Sequence, residues 1–85
     1  MTYTIEFSRA AEKQLADIQR GDQKKIAQRI EKLISNPFPS GYEKLKGSDD
    51  LYRVRQGDYR IIYNILEKKL IILIVKIGHR REIYR

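Results

Sequence analysis

The Gly57-Asp58 pair constrains this chain most, because it predicts a tight turn between two segments of alternating apolar and polar residues. Glycine followed by aspartate suits a two-residue type II′ loop, whose backbone twist matches that of two paired strands. The sequence therefore predicts a β-hairpin with strands at about residues 51–56 and 59–65. Counting back from the turn also fixes its register, with the pairs Gln56–Tyr59, Arg55–Arg60 and Val54–Ile61.

This register puts three arginines on one face of the hairpin. Side chains alternate between the faces of a strand, so Arg53 shares the face of Arg55 and of its partner Arg60. Directly opposed Cβ atoms lie about 5 Å apart, where like charges destabilise a hairpin by tenths of a kcal/mol. A bound phosphate would offset this repulsion, because guanidinium groups bind phosphate through paired hydrogen bonds. The alternative is a solvated face on which the long side chains spread into water.

The segment before the hairpin predicts one strand and two helices. Tyr3, Ile5 and Phe7 alternate with polar residues as in a half-buried strand, and Ser8 is a typical helix N-cap. Two amphipathic helices follow, with a break at Gly21-Asp22, and Asn36-Pro37 ends the second helix. Their apolar positions are Ala11, Leu15, Ile18, Ile26, Ile30, Leu33 and Ile34.

The complete pattern predicts an α+β fold with the order βααβββ. Residues 70–77 are apolar at nearly every position, which is typical of a central strand covered on both faces. We expect a mostly antiparallel sheet with the two-helix hairpin packed on one face, in a single domain spanning residues 1–85. The arginines then occupy the uncovered face. The side chains expected to point toward the helices are Tyr52, Val54, Ile61, Tyr63 and Ile65.

Charge and composition narrow the functional classes. The chain has 85 residues and a net charge of +7, which favours a polyanionic partner such as nucleic acid. Residues 43–85 carry 11 Lys and Arg against 6 Asp and Glu, whereas residues 1–42 carry 7 against 5. The sequence has no cysteine, no signal-peptide pattern and no apolar segment long enough to span a bilayer. We therefore expect a cytoplasmic protein that does not associate with membranes.

The residues exclude several chemistries and leave one open. The carboxylates lack the spacing of a metal site, and no phosphate-binding loop or nucleophile elbow is present, so we expect no metal and no cofactor. Cleavage of RNA needs none of these, because the 2′-hydroxyl of the substrate is itself the nucleophile. The C-terminal segment offers His79 and Tyr84 for proton transfer beside Arg80 and Arg81. The alternatives are that His79 orients the tail through a hydrogen bond and that Arg81 is ordinary surface charge.

The segments YRVRQGDYRIIY and GHRREIY, preceded by KLKG and set in the βααβββ pattern, resemble the RelE toxins of the RelE/ParE superfamily. The resemblance covers nearly the whole chain and implies a RelE-like, microbial-ribonuclease-like fold. It also implies a ribosome-dependent endoribonuclease that cuts mRNA in the ribosomal A site and stops translation. A small acidic antitoxin, encoded beside the toxin, would hold it inactive in a toxin–antitoxin hetero-oligomer.

The same resemblance assigns roles to individual residues. The implied catalytic patch consists of Arg53, Arg55, Arg60, Arg80 and Tyr84. Arg60 and Arg80 would stabilise the phosphate in the transition state, and Tyr84 would orient or deprotonate the 2′-hydroxyl. The best-known members have lysines where Arg53 and Arg55 stand, and arginine is a poor general base. Either Tyr84 or His79 would carry that role here, or the reaction would depend on electrostatic stabilisation. The candidate RNA contacts are Lys44, Lys46 and Arg81.

Two other functions remain open on the sequence. ParE-type toxins share the fold but poison DNA gyrase and generally lack the full catalytic patch. The third possibility is a basic RNA- or ribosome-binding module with no catalytic activity.

Overall fold

The computed structural model describes residues 2–79. Over this range the chain forms two helices and a five-stranded sheet, which confirms the predicted α+β class. The elements in chain order are β1 (Thr4–Phe7), α1 (Arg9–Ala16), α2 (Arg20–Lys32), β2 (Glu43–Lys44), β3 (Leu51–Gln56), β4 (Tyr59–Leu66), a 3₁₀ turn (Glu67–Lys69) and β5 (Ile71–His79).

The sheet has the strand order β1-β5-β4-β3-β2. Three of its pairings are antiparallel, as predicted, and the fourth is the parallel pairing of β1 with β5. The two-residue strand β2 was not predicted, because its segment contains no alternating pattern long enough to indicate a strand. It nevertheless adds a fifth strand beside β3.

Ser8 begins α1 and also ties it to the sheet. Its hydroxyl accepts a hydrogen bond from the Ala11 amide at 3.0 Å and donates one to the Val75 carbonyl at 2.7 Å. The helix break falls at residues 17–19, earlier than the predicted position, and Gly21 lies inside α2. The Gln23 side-chain amide bridges the two helices by donating to the Leu15 carbonyl at 2.9 Å.

The core lies between the helices and one face of the sheet. Four residues of the helical segment are buried against it, namely Ala11, Ile26, Ile30 and Leu33. The buried residues of the sheet are Val54, Ile61, Tyr63, Ile65, Ile72, Ile74 and Ile77. This confirms the predicted inward positions of the hairpin, where Tyr52 is partly buried. Strand β5 is central in the sheet, but Ile71, Leu73 and Val75 are partly exposed, so the prediction that it is covered on both faces was wrong.

In the described part of the chain, no helix has the length and apolar character needed to cross a membrane.

Candidate functional site

The β3–β4 hairpin has the predicted register. Gln56 pairs with Tyr59, Arg55 with Arg60 and Val54 with Ile61. Gly57 has a φ of 60°, whereas the φ of Asp58 is not positive. A type I′ loop would require a positive φ at both turn residues. The turn is therefore of type II′, and it places Arg55 directly opposite Arg60.

Arg53, Arg55 and Arg60 lie together on the face of the sheet opposite the helices, which we call the arginine face. Val54 and Ile61, the neighbours of these arginines along the strands, are buried in the core on the other face. The expectation that the arginine face is uncovered was wrong for two of the three side chains. Arg53 and Arg60 expose only 7% and 6% of their surface, whereas Arg55 is exposed. Arg55 is therefore the most accessible cation of the group.

Arg53 forms an ion pair with Glu43 of β2. The two residues are direct partners across the β2–β3 pairing, so their side chains emerge on the same face. Glu43 explains why Arg53 can be buried, because a buried charge requires a paired charge or hydrogen bonds. The chain itself thus supplies an anion for Arg53, and repulsion among the arginines does not require a bound phosphate at that position.

Strand β5 adds two residues to the arginine face that sequence reasoning missed. Gly78 pairs with Arg60 and Lys76 pairs with Ile62, so both lie on this face. Lys76 is the one charged residue within the apolar segment 70–77, and this interruption was the available signal. Gly78 contributes no side chain next to Arg60.

A β-bulge shapes β5 next to these residues. The register shifts between Ile62 and Tyr63, whose partners are Lys76 and Ile74, so Val75 is left between them. The Val75 carbonyl accepts the Ser8 hydroxyl, and the Ile74 carbonyl accepts the Ser8 amide at 2.9 Å. Bulges redirect side chains and are frequent beside active sites. Here the bulge sets the phase that brings Lys76 and Gly78 to the arginine face.

His79 lies on the opposite side of the sheet from the arginines. It pairs with Tyr59, whose side chain projects toward the helices, and the two rings meet edge to face with centroids 5.7 Å apart. His79 and Tyr59 line two neighbouring cavities of about 290 and 500 Å³, which include Asp22 of α2 and Gln14 of α1. The structure therefore does not bring His79 to the arginine face, where it was a candidate acid or base.

The two predicted RNA contacts in the β2 region also separate from the arginines. Lys44 pairs with Tyr52 and extends toward the helix-covered face, because its neighbour Glu43 occupies the arginine face. Lys46 is exposed in the loop between β2 and β3. Arg80, Arg81 and Tyr84 lie outside the described residues, so their assigned roles stay predictions.

Comparison with known proteins identifies the family to which this chain belongs. A family model described as the ParE toxin of the type II toxin–antitoxin system, parDE, matches residues 5–84. A candidate toxin of Methanocaldococcus jannaschii, RelE1, is 38% identical over 88 residues, which cover 100% of this chain and 98% of the relative. This chain belongs to the RelE/ParE family of toxins.

Solved structures of RelE proteins share its fold. RelE from the archaeal RelE–RelB complex of Pyrococcus horikoshii is 32% identical, with a TM-score of 0.81 over 94% of this chain and 97% of that chain. Isolated Escherichia coli RelE gives a TM-score of 0.82 at 21% identity, covering 96% and 90% of the two chains, and shows the common fold alone. The RelE-type assignment predicted from the hairpin and tail motifs is thereby confirmed.

Within this RelE/ParE fold, the arginine face can bind anions but offers few groups that exchange protons. Arg55 and Arg60 are adjacent permanent cations that suit a phosphate, and Lys76 adds a third positive charge nearby. Arginine does not release its proton in proteins and cannot serve as a general base. A catalytic acid or base for chemistry at Arg55 and Arg60 must therefore be a group other than these two arginines.

Proposed function

We propose that this toxin is a ribosome-dependent, metal-independent endoribonuclease that cleaves translated mRNA in the ribosomal A site. The observation that carries the proposal is the direct cross-strand pairing of Arg55 with Arg60 on the face opposite the helices. Two guanidinium groups held side by side by a rigid hairpin suit one phosphodiester better than they suit each other. RelE-named relatives over the full chain length support the same class of activity.

The chemistry needs only groups that this chain supplies. The substrate's 2′-hydroxyl attacks the adjacent phosphorus, its proton is removed, and the 5′-oxygen leaves after accepting a proton. Arg60, assisted by Arg55, stabilises the negative charge that builds on the phosphate oxygens. Arg53, neutralised by Glu43, contributes more to the shape of the site than to its charge.

The resemblance to RelE toxins adds Arg80 as a second phosphate ligand and Tyr84 as the residue that orients or deprotonates the 2′-hydroxyl. Because His79 packs against Tyr59 on the other face, the proton-transfer role falls to Tyr84 in this proposal. Neighbouring arginines would favour the phenolate form that such a base requires.

The proposed partner is an acidic antitoxin that forms a hetero-oligomer with this chain. The complexes of P. horikoshii and M. jannaschii that share this fold contain RelB bound to RelE. The net charge of +7 favours an acidic protein, which would cover the arginine face or displace the tail that follows β5.

Mapping of new mRNA 5′ ends after induction in cells tests the nuclease directly. The wild type should produce cuts within translated regions, and Arg60→Ala, Arg80→Ala and Tyr84→Phe should each reduce them by about 10²-fold or more. Lys24→Ala, which removes an exposed cation of α2, is the matched control and should leave the cuts unchanged. If Arg60→Ala weakened RNA binding while growth was equally unaffected by wild type and variant, the chain would be a non-catalytic RNA-binding module.

The second candidate function is inhibition of DNA gyrase, which is favoured by the description of the matching family model as ParE. The deciding assay incubates the purified toxin with translating ribosomes and, separately, with gyrase and supercoiled DNA. Intact ribosome-bound mRNA together with trapped gyrase–DNA cleavage complexes would replace the nuclease proposal by the gyrase one.

A further inference from the structure

A cluster of aromatic rings lies at the β2 edge of the sheet, on the side away from the arginine face. Phe38 meets Tyr42 and Tyr52 with ring centroids 5.3 and 5.4 Å apart, and Tyr42 lies 6.1 Å from Tyr52. Tyr52 continues to the buried Tyr63 at 5.9 Å. Phe38 and Tyr42 nevertheless remain 39% and 41% exposed, so the cluster begins in the core and ends in solvent.

The loop that carries these rings is held in place by hydrogen bonds. The Tyr63 hydroxyl donates to the Pro37 carbonyl at 2.7 Å, and the Arg29 guanidinium donates to the Ser40 carbonyl at 3.3 Å. The Tyr42 amide donates to the Pro39 carbonyl at 3.1 Å. The exposed rings are thus presented by a fixed backbone, so little conformational entropy is lost when a flat ligand binds them.

The charges around the cluster favour an anionic ligand with flat apolar groups. Lys44 is the cross-strand partner of Tyr52, Lys46 is exposed two residues further on, and Glu43 is engaged by Arg53 on the opposite face. The acids of the same loop, Asp49 and Asp50, follow Lys46 toward β3. Aromatic rings beside cations are the usual means of binding unpaired nucleotides, whose bases stack while their phosphates contact the cations.

The cluster is also continuous with the arginine face around the edge of the sheet. Strand β2 is only two residues long, with Glu43 directed to the arginine face and Lys44 to the aromatic side. Because these two residues are consecutive, an RNA strand that passed around this edge of the sheet would meet both surfaces.

We propose that Phe38 and Tyr42, with Lys44, form a stacking site for unpaired bases of the RNA strand that occupies the arginine face. This inference rests on the proposed RNA substrate but adds a second surface to it. Stacking tolerates any base, so the site would hold the strand without selecting its sequence.

The test compares two single-stranded DNA oligomers of about 10 nucleotides, one of thymidylates and one with abasic sites throughout. DNA lacks the 2′-hydroxyl, so the wild-type toxin binds both oligomers without cleaving them. Fluorescence anisotropy should show that the wild type prefers the base-containing oligomer by about tenfold or more. The Phe38→Ala/Tyr42→Ala variant should lose this preference while it retains its affinity for the abasic oligomer.

Two controls separate stacking from general effects. Tyr42→Phe keeps the ring and should keep the preference, and Phe7→Ala removes a ring of similar exposure, 36%, on β1 at the opposite edge of the sheet. The inference is wrong if wild type binds both oligomers equally, or if the double variant retains the preference. It is also wrong if the double variant loses only its capture by a co-expressed acidic antitoxin, because the surface would then bind protein.

The outcome is independent of the nuclease assay. If the toxin cleaves mRNA but does not prefer the base-containing oligomer, the proposed function stands and the stacking site is refuted. Base preference without cleavage would establish the stacking site in a protein that is not a nuclease.

Discussion

At the scale of single residues, the direction of a side chain from its strand decides which chemistry it can join. His79 and Gly78 are neighbours in β5, but Gly78 faces Arg60 and His79 packs on Tyr59 beneath the helices. We therefore expect His79→Phe, which preserves the edge-to-face contact, to cleave mRNA at nearly the wild-type rate. The check is a single-turnover rate on programmed ribosomes. Loss of a general acid or base lowers rates by about 10²- to 10⁴-fold, and a fall of that size would contradict this placement.

Tyr63 makes the free energy of unfolding decrease at alkaline pH. Burial raises the pKa of its hydroxyl from 10.0 to about 12. Between these values the unfolded chain has lost the tyrosine proton and the folded chain retains it, so unfolding releases a proton and stability falls as pH rises. We expect this residue to account for a loss of about 2–3 kcal/mol from pH 10 to pH 12, with the full contribution present below pH 10.

Tyr63→Phe isolates that contribution in denaturant unfolding at several pH values. The variant should be less stable than wild type by about 1–3 kcal/mol at neutral pH, because the Pro37 carbonyl loses its donor. The difference in the free energy of unfolding between wild type and variant should decrease as pH rises toward 12. Tyr3→Phe changes a tyrosine that is not among the groups acting on Tyr63 and serves as the control, and an equal decrease for that variant would refute the assignment to Tyr63.

The sequence predicted the arginines of the site but not their partners. Arg55 faces Arg60 because a two-residue turn determines the register, and that information is local. The Glu43–Arg53 ion pair depends on the pairing of β2, a two-residue strand ten positions from its partner, and no local pattern encodes it. The face of the sheet on which His79 lies could not be predicted either, because the bulge at Val75 changes which residues of β5 point to each face.

At the scale of elements, the hairpin turn is the feature on which the arginine face depends most. Gly57 has a φ of 60°, and a Cβ added there would meet no atom within 4 Å, so the cost of a side chain is purely conformational. We expect Gly57→Ala to destabilise the fold by about 1–2 kcal/mol. Gly21→Ala in α2, with equal space and no positive φ, should stabilise it by up to about 1 kcal/mol. The measurement is denaturant unfolding, and a change in the free energy of unfolding of the same sign in both variants would contradict this account.

Most elements followed from local patterns, and the exceptions have identifiable causes. Ser8 caps α1 as its side chain predicts, and the apolar spacing marks α2. The position of the helix break could not be predicted from Gly21. A glycine in the first turn of a helix reduces stability by less than the packing of α2 against the sheet increases it, so Gly21 lies inside α2. The parallel pairing of β1 with β5 joins strands from the two ends of the described chain, so only the packed core determines it.

At the scale of the whole molecule, the sheet separates two populations of positive charge. The helices carry exposed cations such as Lys13, whereas Arg55 is the exposed cation of the arginine face. Binding of a single-stranded oligomer should therefore depend on salt through Arg55 and not through Lys13. Each phosphate contact in single strands contributes about 0.7 to the slope of log affinity against log salt.

We expect Arg55→Gln to reduce the magnitude of that slope by about this amount and Lys13→Gln to leave it unchanged. Both substitutions remove one charge from an exposed side chain, so the net charge of +7 falls equally in the two variants. The measurement is a salt titration of oligomer affinity by fluorescence anisotropy. Equal slopes for the two variants would mean that the total charge governs binding. A smaller slope for Arg55→Gln alone would mean that a phosphate of the oligomer contacts Arg55 on the arginine face.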